Sequence, residues 1–278
     1  MLLTDCDLHV HTKFSFDGAS DGSGEPEVVA NAALDAGLKA LALTDHCDID
    51  DILDAIYPPY PAREIRDSIE KLQSDFSGRL KILRGIELGE PHVRPDEARA
   101  LLEEQNFDFV LGSLHNLRGY PDFYFLRFER MEERQLDYIA RRMIDELKEI
   151  VRFEYKNGRH IDSLAHITYM ERYLLECGVE FDFMRYEREW RGLFREMIDC
   201  GVALEVNSSG LRKGGRLMPD APLVSLYIDC GGRLFTLGSD AHTARDVGKG
   251  IADAAKLLPG DSLACLPKGL GAAAGLSR

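Results

Sequence analysis

The stretch Asp7–Gly18, DLHVHTKFSFDG, ends a short apolar run with two histidines two positions apart. Alternate side chains of a strand share a face, so His9 and His11 point the same way and can reach one ion. Alone, such a pair fits a metal site or an ordinary strand end that carries histidines. The rest of the chain has to decide.

Outward from this stretch, short apolar runs alternate with longer helical ones. LLTDCDL reads as the first strand, LKALALT as the second, LKILRGIE as the third and FDFVLGSLH as the fourth. IDSLAH, VALEVN and RLFTLGSD follow as strands five to seven. Between them lie helical segments such as EPEVVANAALDAG and PAREIRDSIEKLQSDFSG, each with proline near its start and glycine at its end. The segment from Met131 to Gly158 carries Leu136, Ile139, Met143, Leu147, Ile150 and Val151 at helical spacing. Seven β-α units without a linker predict a parallel sheet with helical crossovers, and residues 1–278 read as one barrel domain. The segments Cys47–Pro61 and Asn116–Arg130 are long loops placed to cover a site. The tail from about residue 268 is small and Gly-rich and is expected to pack weakly.

The chemically capable residues fall at strand ends. Strand one ends in His9 and His11, strand two in Asp45 and His46, strand three in Glu87. Strand four ends in His115, strand five in His166, and strand seven in Asp240 and His242. In a parallel barrel all these ends share one face, where active sites are built. Six of the chain's 8 histidines lie there, so the set predicts a metal cluster. Imidazole and carboxylate donors suit Zn, Mn or Fe. His92 and His160 lie outside the pattern, with no role expected. NSSG after strand six offers a serine but no dedicated base and no GxSxG turn.

Composition limits the partners. Lys+Arg 34 against Asp+Glu 48 leaves a net charge of −14, which disfavours nucleic acid and anionic membranes. The six cysteines form no CxxC pair, which suits a reducing cytoplasm. MLLTDCD shows no signal-peptide pattern, and no apolar run is long enough to span a bilayer. Oligomeric state leaves no signal.

Seven stretches in order (DLHVHTKFSFDG, ALTDH, GIELGEP, FVLGSLHNL, LAHITYMERY, LEVNSSGLRK and LGSDAH) resemble the polymerase and histidinol phosphatase (PHP) family, most of all its histidinol-phosphatase branch. The resemblance covers nearly the whole chain. It implies a distorted (β/α)7 TIM-like barrel with three divalent metal ions at the C-terminal face. His9, His11, Glu87 and Asp240 would hold the first ion. Glu87, His115 and His166 would hold the second, and Asp17, His46 and His242 the third. Asp45 would orient a neighbour rather than bind metal.

Such a site predicts a phosphomonoesterase working through metal-bound hydroxide, with no serine or cysteine nucleophile. Arg212, and after it Arg118, are the expected phosphate-binding residues. The expected substrate is L-histidinol phosphate, with GYPDFYF as a source of acidic or aromatic partners for its cationic end. The rival readings are a nucleotide or oligonucleotide-end phosphoesterase and a non-catalytic metal-bound accessory module.

Overall fold

In the computed structural model, which describes residues 1–49 and 59–262, the strands run β1 (Cys6–Val10), β2 (Ala40–Leu43), β3 (His46–Asp48), β4 (Lys81–Gly89), β5 (Phe109–Ser113), β6 (Ser163–Leu164), β7 (Ala203–Asn207) and β8 (Phe235–Gly238). All pairings are parallel, in the order β1-β2-β4-β5-β6-β7-β8, with β3 beside the second half of β4. Parallel neighbours need crossovers, and the helices supply them. They are α1 (Pro26–Asp35), α2 (Ala62–Asp75), α3 (Pro95–Gln105), α4 (Glu133–Arg152), α5 (Tyr169–Glu176), α6 (Glu187–Cys200), α7 (Gly210–Lys213), α8 (Ala221–Asp229) and α9 (Ile251–Ala255). The ring closes where β8 meets β1. The Asp240 N–H donates to the His9 carbonyl at 2.7 Å, and the His11 N–H to the Ala241 carbonyl at 2.9 Å. The result is a nearly closed, distorted (β/α)7 barrel.

Several elements differ from the sequence reading. The first strand starts later, because Leu3–Asp5 form a 3-10 turn. The fifth predicted strand shrinks to Ser163–Leu164, and the short helix α5 follows it. The long helix stops at Arg152. Residues 50–58 of the first long loop and the tail from residue 268 lie outside the described residues.

The apolar face read for α4 is buried in full and joins the large core that includes Trp190 and Phe194. A smaller cluster contains Cys6, Leu8, Ala42, Leu83, Phe109 and Leu111. Strand alternation puts Leu83 on the face of Glu87, and Leu111 on the face that continues to His115. This apolar layer therefore lies beneath the polar end of the barrel.

Asp7 secures the closure. It is fully buried and accepts the N–H groups of Ser239 and Gly248, each at 2.8 Å. Asp7→Ala strands these donors and is expected to cost about 2–4 kcal/mol, read by urea unfolding. Asp7→Asn keeps one acceptor and should cost less.

Candidate metal centre

Glu87 is the hub. It is fully buried on β4, opposite His46 on β3. Its Oε1 lies 3.1 Å from His115 Nε2 and 2.9 Å from His166 Nε2. Its Oε2 lies 3.2 Å from His9 Nε2, 3.4 Å from His11 Nε2 and 2.9 Å from His46 Nδ1. Asp240 Oδ1 is 3.4 Å from His11 Nε2. Across the cleft, Asp17 sits 2.9 Å from His242 Nε2 and 3.6 Å from His46 Nε2. The fold thus brings together all nine residues expected as metal ligands, Asp17 among them. His46 stands between two groups, nearer to Glu87 than to Asp17.

Around the cluster, hydrogen bonds engage the outward-facing Nδ1 of four of the rings. Glu205 Oε1 accepts from His9 Nδ1 at 2.7 Å. The hydroxyl of Ser15 donates to Asp45 at 2.8 Å, so it must accept from His11 Nδ1 at 2.9 Å. Asp48 accepts from His115 Nδ1 at 3.0 Å, and the Asp240 carbonyl from His242 Nδ1 at 3.2 Å. In each ring the partner of Nδ1 assigns the proton, which leaves the Nε2 lone pair toward the cluster. His9 Nε2 and His11 Nε2 face one another at 3.0 Å. Glu87 Oε2 and His46 Nδ1 make no hydrogen bond although both are buried. Such a set of converging imidazole nitrogens and carboxylate oxygens fits divalent cations.

Asp45, which also accepts the Thr12 N–H at 2.6 Å, acts on His11 through Ser15. Sequence reading missed Glu205, whose other oxygen accepts the His166 N–H at 2.8 Å. It fits only because residue 238 is glycine, since a Cβ there would run into Glu205 Oε1 and His9. The available signal was one charged residue in the otherwise apolar run VALEV.

Electrostatically the cluster holds protons where cations belong. Burial works against a charged His46, but Glu87 and Asp17 outweigh it and raise its pKa to about 9. Burial likewise opposes charge on His9 and His115. Glu205 and Glu87 hold His9 well above its usual value, and Asp48 and Glu87 do the same for His115. Burial, with His242 and His46 beside it, pushes His11 down to about 3. Burial would raise Glu87, yet His9, His46 and His115 hold it well below the carboxylate range. Metal ligation requires neutral imidazole. Adding Zn or Mn to metal-free protein at pH 7 should therefore release protons. Apparent affinity should climb as pH rises toward 9, where His46 loses its proton, and the proton release is read by a pH-indicator titration.

Above the cluster lies a cleft of about 520 Å³. Arg172, Ser209 and Arg212 line it together with Asp122, Tyr124, Phe125, Tyr169 and Tyr173, and Arg172 lies over the Tyr169 ring. Arg212 donates to the carbonyls of Ser239 and Asp240 at 2.8 and 3.1 Å. Arg172, also missed in the sequence, donates to Asp240 Oδ2 at 3.1 Å. Burial pushes the Asp122 carboxyl above its usual range. Arg118 does not line this cleft, contrary to expectation. It is about half exposed and donates to the His92 carbonyl and to Glu149, each at 3.1 Å. Glu146 on α4 fixes it there by accepting its backbone N–H. His92 pairs with Glu146 at 3.1 Å, and His160 faces the Phe153 carbonyl.

A barrel with this crowd of imidazoles and carboxylates at the C-terminal face belongs to a defined class, and the chain is a member of the PHP domain family, which matches residues 7–209. It is 26% identical over 264 residues to the "Probable histidinol-phosphatase" of Clostridium acetobutylicum, covering 90% of this chain and 91% of that one. Its fold is similar to the hisK crystal structure from Listeria monocytogenes (TM-score 0.77, 18% identity, 89% of this chain and 99% of that one). It is also similar to histidinol phosphate phosphatase from Lactococcus lactis subsp. lactis, solved with Zn, L-histidinol and phosphate (TM-score 0.70, 21% identity, 91% and 92% covered). Among the described residues no helix is long and apolar enough to cross a membrane, and no disulfide joins the cysteines.

Proposed function

We propose that this protein is a phosphoric monoester hydrolase that converts L-histidinol phosphate and water to L-histidinol and phosphate, a step of histidine biosynthesis in the cytoplasm. The observation that carries this reading is a cleft over the cluster whose lining combines two arginines with aromatic rings and a carboxylate. The named relatives and the ligands of the Lactococcus lactis structure support it.

The chain would hold three ions: one by His9, His11, Glu87 and Asp240, one by Glu87, His115 and His166, and one by Asp17, His46 and His242. When bound, divalent ions supply an activated water and neutralise charge developing on the phosphoryl group. Arg212, fixed by two carbonyls, presents its planar fork to phosphate oxygens. Arg172 does so from beside Asp240. Asp122, Tyr124, Tyr169 and Tyr173 receive the cationic end of the substrate, where aromatic faces and a carboxylate favour ammonium and imidazolium groups.

Arg212→Ala is expected to raise KM for the phosphomonoester and lower kcat/KM about 100-fold. The test of the function is phosphate release by metal-supplemented protein from histidinol phosphate, a nucleoside monophosphate and a dinucleotide phosphodiester. Release from histidinol phosphate well above the others is expected. Release only from a nucleotide substrate overturns the reading, and no release from any with ions bound makes the protein an accessory module.

A further inference from the structure

His115 sits just past the end of β5, where no neighbouring strand continues the ladder. Its backbone and ring are instead gripped by two carboxylates from adjacent strands. Glu90, fully buried, accepts the His115 N–H through Oε1, with the Asn116 N–H at 3.4 Å. It reaches there because the chain leaves β4 with Glu90 at φ +49, a conformation rare for residues other than glycine and retained mainly where function demands it. Asp48 on β3 accepts from His115 Nδ1 at 3.0 Å. Its approach requires glycine at position 89, since a Cβ there would collide with Asp48 Oδ1.

We propose that Asp48 and Glu90 are positioning residues that seat His115 for the second metal ion, Asp48 by fixing the ring and Glu90 by hooking the backbone. This rests on the metal assignment above. Together the two carboxylates leave His115 Nε2 no direction but toward Glu87, 3.1 Å away. The short strand β3 gains a purpose: it delivers His46 and Asp48 to the same wall. One rival occupant exists. The donor atoms of Asp48, Glu90 and His115 lie within 4.8 Å of one another, and Glu90 Oε2 has no hydrogen-bond partner among the described residues. A further cation there would compete for the Nδ1 that Asp48 already engages, so the positioning role is favoured.

The test uses the full chain with metal restored. Glu90→Gly suits the positive φ and removes the hook, so the fold is kept while the role is lost. Affinity for one ion should fall about 10–100-fold, with kcat falling and KM for substrate little changed. Glu90→Gln, which keeps an acceptor at Oε1, should restore that affinity. Unchanged ion affinity and kcat in Glu90→Gly would overturn the proposal. So would an ion lost in Glu90→Gln, which would make Glu90 a ligand. His115→Ala separates the two levels. An ion lost there but retained in Glu90→Gly removes only the positioning role. No loss in either removes the metal assignment beneath it.

Discussion

Glu87→Gln should lower kcat/KM for the phosphomonoester at least about 1000-fold and weaken two metal positions together. Both oxygens of Glu87 are committed, Oε1 to His115 and His166 and Oε2 to His9, His11 and His46. Glutamine keeps the volume but turns one oxygen into an N–H₂ donor, which cannot ligate an ion and faces imidazole nitrogens. It also removes the charge that helps hold His9, His46 and His115 protonated when metal is absent. The variant should therefore release fewer protons on metal addition at pH 7. Elemental analysis and the indicator titration read both effects. Normal ion content with lost activity would confine Glu87 to chemistry rather than binding.

Arg172→Ala should show a double loss. The side chain is 7% exposed, donates to Asp240 and Ser209, and lies over the Tyr169 ring. Removing one partner of a buried ion pair leaves the other uncompensated, at a cost of about 3–5 kcal/mol. In parallel kcat/KM should fall about 100-fold or more, mainly through KM, because phosphate loses one of its two arginines. Arg172→Lys keeps the charge without the planar fork and should recover stability more than affinity. Should urea unfolding shift while the kinetics of the folded protein stay unchanged, Arg172 is only a brace for Asp240, and phosphate binding falls to Arg212.

The barrel was legible because its strands are buried on both faces and stand out as apolar runs between amphipathic segments. The strand-end histidines were legible because a parallel ring gathers those ends whatever lies between them. Asp17 was reached only through resemblance, since nothing local folds it back toward His46 and His242. What stayed hidden depends on pairing across the ring. Glu205 meets His9 from 196 residues away, and in sequence it is one acid within VALEVN. Arg172 rides on α5, a helix of 8 residues too short for its period to show. Arg118 was misjudged because proximity to His115 in sequence says nothing about Glu149 on α4, which captures it. The two-residue strand β6 is set by its neighbours' register rather than by its own residues.

The most direct test of a metal-dependent phosphomonoesterase here is restoration of activity. Protein stripped by chelation is assayed for phosphate release from L-histidinol phosphate while Zn or Mn is returned stepwise. Release should be absent at the start and reach its full rate only as bound metal nears three ions per chain. Full release in the presence of the chelator, or none with three ions bound, would contradict the assignment.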